Sequence, residues 1–208
     1  MKKNYQLELD KEIEKITKSD ELPSLLLHSC CGPCSSYVLE YLSKYFKVTV
    51  LYFNPNIYPE EEFLHRQSEQ KRIISELPVE NKVSFMESEY NYKDFLSAAK
   101  GFENEREGGA RCDKCFRLRL KKTAQLAAEN GFDYFTTTLS VSPHKNSQLL
   151  NLIGEELGEE YGVKHLPADF KKREGYKRSI ELSKQYDLYR QNYCGCEFSL
   201  RQAQEQQK

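Results

Sequence analysis

Short unbroken apolar runs alternate along the chain with longer stretches in which apolar positions recur every three or four residues. Ser24–His28 (SLLLH) and residues 47–53 (KVTVLYF) are runs of the first kind, bounded by polar segments, and predict buried strands. Residues 82–86, 133–139 and 163–166 supply three more. Between them lie helical stripes. Tyr37, Val38, Tyr41, Leu42 and Tyr45 share one face of a helix that Ser35 or Ser36 would cap. Further helices are predicted over 60–77, 92–100, 113–129 (stopped at Gly131), 146–161 and 175–189. Strands alternating with helices predict an α/β fold: a Rossmann-like parallel sheet with flanking helices and right-handed crossovers. The same pattern places a single domain over 21–200, between a flexible segment at 1–20 and a flexible Gln-rich tail at 201–208.

Charge narrows the class. The 208 residues carry 31 basic and 32 acidic side chains, a net charge of −1, so the chain is neither histone-like nor an acidic tail protein. No apolar run approaches the roughly 20 residues that span a bilayer. The first twenty residues also lack the apolar stretch of a secretory signal, so a cytoplasmic location with no membrane partner is expected.

Seven cysteines then dominate the chemistry: Cys30, Cys31 and Cys34; Cys112 and Cys115; Cys194 and Cys196. An odd, clustered set in a reducing compartment points to metal or redox chemistry rather than to a disulfide framework. Cys30, Cys31 and Cys34 follow the first strand, and Ser142-Pro143-His144-Lys145-Asn146 follows the fourth. In an open parallel sheet both loops face the crevice where ligands bind. A C-x-x-C at a helix start, beside Arg111 and Lys114, favours thiolate. Four thiolates would complete either a zinc site or an iron–sulfur cluster, and the surplus of thiols favours the cluster. Cys194-Gly195-Cys196 can cycle between dithiol and a strained, easily reduced disulfide, or bind iron.

Two basic runs stand out against the balanced total: residues 111–122 (RCDKCFRLRLKK) and 171–178 (KKREGYKR). A basic face with aromatic neighbours suits a polyanion such as RNA, and an ordinary solvated helix face is the plainer reading. His144 and Lys145 open a further candidate anion site before a helix N-terminus.

HSCCGPCSS, YFNPNIYP, RCDKCFRLRL, FDYFTTTLSVSPHKN and DFKKREGYKRSIELSKQYDLYRQNYCGC together resemble the QueH family of epoxyqueuosine reductases, from about residue 25 to 198. The resemblance implies an adenine-nucleotide alpha-hydrolase-like fold. It also implies reduction of the epoxide of epoxyqueuosine, at the anticodon wobble base of tRNA, to give queuosine. It implies a [4Fe-4S] cluster on Cys30, Cys31, Cys112 and Cys115, an additional iron toward Asp113 and Cys34, and Cys194 and Cys196 as the redox-active or second-iron pair. Lys171, Lys172, Arg173, Lys177, Arg178, His144 and Lys145 are then candidate tRNA contacts, and an unidentified electron donor completes the reaction. The rival readings are a tRNA thiolation enzyme, whose SGGxDS-type loop is not found in SCCGPCSS, and a zinc-stabilised RNA-binding module.

Overall fold

The computed structural model describes residues 3–19 and 21–205. Five parallel strands form one sheet in the order β3-β2-β1-β4-β5. They are β1 (Ser24–His28), β2 (Lys47–Tyr52), β3 (Ser84–Glu87), β4 (Tyr134–Thr137) and β5 (Lys164–His165). The central strand β1 pairs with β2 from Ser24↔Lys47 to His28↔Leu51 and with β4 from Leu25↔Tyr134 to His28↔Thr137. The chain thus leaves β1 toward one half of the sheet and β4 toward the other. That topological switch point opens a crevice beyond the strands' carboxyl ends.

Alternation along β1 feeds two cores. Leu25 and Leu27 meet Val38, Leu39 and Leu42 of α2 (Gly32–Leu42) and Leu182 of α7 (Gly175–Gln185). Leu26 faces the opposite way, toward Phe116, Leu120 and Ala124 of α5 (Ala110–Glu129) and Leu150, Ile153 and Leu157 of α6 (Ser147–Tyr161). The period of two along a strand therefore covers both faces of the sheet with helices, as a parallel sheet requires. The remaining helices are α1 (Tyr5–Thr17), α3 (Glu60–Glu76), α4 (Tyr92–Ala99) and α8 (Glu197–Glu205). None of the helices among the described residues is long and apolar enough to cross a membrane.

The segment expected to be flexible at the N-terminus contains a helix: Asn4 caps α1, and Leu9, Ile13 and Ile16 are buried in the first core. Their spacing is a helical stripe, and burying side chains of this kind is worth roughly 1.5–3 kcal/mol each, enough to dock a helix. Met1, Lys2 and Asp20 lie outside the described residues. At the other end α8 runs to Glu205, across the expected start of a flexible tail, and buries Ser199. Residues 206–208 lie outside the described residues. Two helices begin earlier than expected. α2 starts at Gly32 with Pro33 in its first turn, so Cys34 is helical, and α5 starts at Ala110, so Cys112 and Cys115 both lie within its first two turns.

On the sheet's far edge β5 packs close to α6 because Gly154 has no side chain. A Cβ there would stand 2.3 Å from the His165 ring. Burial pushes the His165 imidazole down to about 3, with Lys3 adding repulsion. The unfolded chain protonates this histidine near its ordinary 6.5 and the folded chain does not. Its contribution to stability is therefore complete above pH 6.5 and is lost as pH falls toward 3, at about 1.4 kcal/mol per pH unit. Urea midpoints at pH 7, 6 and 5 should fall more steeply for the natural chain than for His165→Leu. Parallel curves would contradict a neutral imidazole in the folded chain.

Candidate metal and thiol site

The crevice at the switch point holds a cavity of about 540 Å³. Its floor is Cys30, Cys31 and Cys34, and Arg119, Lys145, Arg190 and Cys194 line its sides. The thiols arrive from three helix N-termini. Cys31 is the extended residue before α2, and Cys34 lies one turn on. Cys112 and Cys115 open α5, and Cys196 stands immediately before α8, where the Ser199 N–H donates to its Sγ at 3.4 Å. Helix N-termini favour thiolate over thiol. All seven cysteines are unbridged.

The sulfurs of Cys30, Cys31 and Cys34 lie within 4.8 Å of one another. Cys30 and Cys34 donate to Cys31 and hold its thiol well below the ordinary range, helped by Gln191 Nε2 at 3.5 Å. Their own thiols are raised, Cys30 to about 12 chiefly through the bond to Cys31, and Cys34 chiefly through the bond to Cys30. Burial pushes Cys115 up to about 12 and raises Cys112 against the N–H of Gly108, which donates to Cys112 Sγ at 3.2 Å. Cys30 packs against the apolar cluster that contains Cys112, and Cys115 shares a second cluster with Cys196, Phe95 and Ala99.

Lys145 and Gly195 position the C-terminal pair. The Lys145 ammonium donates to Cys194 Sγ at 3.0 Å and to Glu107 at 2.9 Å. Burial disfavours that charge, but Cys194 and Glu107 more than offset it and raise the ammonium's pKa. Gly195 has φ +138, a conformation that side chains resist, and its carbonyl accepts from the Tyr58 N–H at 2.8 Å. A Cβ on Gly195 would approach Ile57 and Arg66 to 3.2–3.3 Å.

Two buried arginines beside the cysteines, Arg66 and Arg119, are candidate site residues that sequence reasoning did not single out. Arg66 is 1% exposed; its Nε donates to Glu62 at 2.6 Å and its Nη1 to the Cys194 carbonyl at 3.2 Å. Arg119 is 2% exposed, and its Nε donates to the Cys115 carbonyl at 3.3 Å. In each, Nη2 is buried without a partner. Arg119 faces Cys115, Cys194, Cys30 and Cys112 electrostatically. The available signal was the 3.6-residue period: Cys112, Cys115 and Arg119 recur on one face of α5.

The expected basic patches come apart in the structure. Within 111–122, Arg111 and Arg119 are buried, while Arg117 and Lys121 pair with Glu156 and Glu160 of α6. Within 171–178, Lys171 pairs with Asp169, Arg173 with Asp10, Lys177 with Glu174, and Arg178 with Glu40 and Glu181. Acids distant in sequence, on α1, α2 and α6, account for most of this neutralisation. Lys172 is exposed and, among the described residues, carries no ion pair. His144 and Lys145 do line the cavity. Asp113 is half-buried in the first turn of α5, with its carboxyl raised by burial, and among the described residues it is outside the compact ligand group formed by the three N-terminal cysteines.

A soft, sulfur-only donor set surrounded by buried guanidinium groups fits a thiophilic metal cluster. Thiolates complete such centres, and the Nη2 atoms of Arg66 and Arg119 are buried donors without a partner. The class is therefore an α/β protein with a Rossmann-like sheet and a thiol-rich metal site at its switch point. The family described as Epoxyqueuosine reductase QueH matches residues 25–202. Relatives bearing that same name include one from Streptococcus pyogenes, 43% identical over 205 residues, covering 96% of this chain and 80% of its own length. Another, from Staphylococcus epidermidis, is 43% identical over 207 residues, with coverages of 95% and 86%. A third, from Thermotoga maritima, is 34% identical over 185 residues, with coverages of 88% and 93%. The chain belongs to the QueH family of epoxyqueuosine reductases. Among solved structures, the U34-tRNA thiolase NcsA from Methanococcus maripaludis with its [4Fe-4S] cluster superimposes with a TM-score of 0.50 at 13% identity, over 96% of this chain and 71% of that one. That likeness establishes the adenine-nucleotide alpha-hydrolase-like fold.

Substituting Gly195→Ala should unseat the Cys194–Cys196 segment while leaving the sheet folded. Alkylation of Cys194 and Cys196 in the metal-free protein, followed by mass spectrometry, should accelerate at least several-fold with far-UV circular dichroism unchanged. An unaltered rate would mean the backbone at 195 does not hold the pair.

Proposed function

We propose that this protein reduces the epoxide of epoxyqueuosine in tRNA to the alkene of queuosine, working in the cytoplasm on the anticodon wobble base. The observation that carries the reading is the cysteine-floored cavity at the switch point of a QueH-family fold. Cys30, Cys31, Cys112 and Cys115 are assigned to a [4Fe-4S] cluster, and Asp113 and Cys34 to an additional iron. When bound, such a cluster supplies electrons one at a time.

The chain's own residues account for the rest. Removing the epoxide oxygen as water consumes two electrons and two protons. In the dithiol form, Cys194 and Cys196 hold both: their two S–H bonds break, one S–S bond forms, and the epoxide becomes alkene and water. An external electron donor then returns the pair to dithiol. Lys145 holds a proton 3.0 Å from Cys194 Sγ inside the cavity. The apolar walls at Leu139 and Val141 limit water around the reacting nucleoside.

Cys112→Ser or Cys115→Ser, purified anaerobically, should lose the cluster absorbance and all turnover of epoxyqueuosine tRNA. Cys194→Ala and Cys196→Ala should keep most of the cluster iron and lose turnover. Full absorbance and rate in the first pair, or cluster loss in the second, would each require a different division of the thiols.

RNA contact follows from the cations that lack a carboxylate. Arg190 lines the cavity, and its Nη1 donates to the Ser183 hydroxyl. Lys172 is likewise free of ion pairs among the described residues. Lys172→Gln with Arg190→Gln should lower tRNA affinity and reduce its salt slope by about one to two, one per lost phosphate contact. Arg173→Gln, which removes a cation already paired with Asp10, should change the slope little. Equal effects would restore the whole 171–178 run as the RNA face.

A further inference from the structure

We propose that Arg119 is the buried counter-ion of the metal–thiolate centre, a positioning residue whose positive charge sets that centre's reduction potential. The inference rests on the cluster reading above and extends it to a residue outside the ligand set.

The argument begins with the cost of burying charge. A guanidinium removed from water is tolerated only where an anion and hydrogen-bond acceptors replace the solvent. Arg119 is 2% exposed, yet among the described residues it forms no ion pair with any carboxylate. Three other buried cations stand near the cysteines: Arg66 is paired with Glu62 at 2.6 Å, Lys145 with Glu107 at 2.9 Å, and Arg111 gives its Nη1 to the carbonyls of Glu103 and Glu105. Around Arg119 the groups able to carry negative charge are thiols: Cys115, Cys194, Cys30 and Cys112. One N–H direction is taken by the Cys115 carbonyl, and Nη2 is buried with no acceptor. The side chain also stacks its charge 5.7 Å from the Phe116 ring, on the same helix. Arg119 is thus a fixed cation held in a dry setting whose anion is the sulfur set itself.

That placement has an electrostatic consequence. Adding an electron to a thiolate-ligated centre increases its negative charge. A neighbouring fixed cation in a low-dielectric site stabilises the reduced form relative to the oxidised form. Arg119 therefore raises the potential and eases reduction by the external donor. Arg66 has the smaller influence because Glu62 cancels its charge. The lysine variant keeps the charge and loses the fork; the glutamine variant keeps a polar side chain and loses the charge.

The experiment is a redox titration, followed by electron paramagnetic resonance, of the anaerobically reconstituted full chain and of Arg119→Lys, Arg119→Gln and Arg66→Gln. Iron and sulfide are assayed on the same samples, and folding is checked by circular dichroism. The expected result is a clear shift to lower potential in Arg119→Gln, a potential near that of the natural chain in Arg119→Lys, and a smaller shift in Arg66→Gln. A folded Arg119→Gln without cluster beside a cluster-bearing Arg119→Lys also supports the proposal. An unchanged potential in Arg119→Gln with full cluster content overturns it. So does cluster loss or unfolding in both Arg119 variants, which would make the residue structural. Failure of the natural chain itself to take up iron and sulfide would instead overturn the cluster reading, and this inference with it.

Discussion

Burying positive charge among sulfurs is the constraint on which the site depends. Arg119 and Arg66 sit almost wholly out of water on either side of the cysteines, each with an unpartnered Nη2. Arg66 is answered by Glu62, whereas Arg119 has no carboxylate partner among the described residues, so a thiophilic metal that holds the neighbouring sulfurs as thiolates would supply its counter-charge. The N-termini of α2, α5 and α8 add to the same preference without adding net charge. The cavity is therefore tuned toward metal–sulfur chemistry by residues that are not themselves ligands.

The sheet makes this arrangement possible. β1 lies between β2 and β4, so the loops leaving β1 and β4 diverge above the strand ends. α2 brings Cys31 and Cys34 to that opening, and α5 crosses the opposite face carrying Cys112, Cys115 and Arg119 on one side. The C-terminal segment closes over the cavity. It is tied down by the Gly195 carbonyl to Tyr58, the Tyr193 hydroxyl to the Tyr58 carbonyl, and Arg66 to the Cys194 carbonyl. Cys194 and Cys196 thus depend on long-range polar contacts for their position, whereas Cys31, Cys34, Cys112 and Cys115 depend on helix starts.

Charge on the outside follows a different logic. Surface ion pairs contribute little to stability one at a time. Here their effect is on recognition, because they tie up most of the cations in two lysine- and arginine-rich runs. Among the described residues the cations without a carboxylate partner include Lys114, Lys122 and Lys172 as well as Arg190 at the cavity.

The linear chain was sufficient for the sheet, for its parallel sense and for the grouping of the cysteines. These follow from local periodicity and short spacings, which β1, β2 and the C-x-x-C of α5 display directly. It also carried the family resemblance on motifs spread over nearly the whole length. The docking of α1 was written there too, in the Leu9, Ile13 and Ile16 stripe, though polar neighbours on the other face masked it. The chain alone left undecided which cations are free, because Asp10, Glu40 and Glu156 reach their partners across gaps of 39 to 163 residues. Nor could it separate Arg119 from the exposed Arg117 two positions earlier. Only tertiary packing decides which of two adjacent faces of α5 meets water, and burial is what turns an ordinary arginine into a counter-ion.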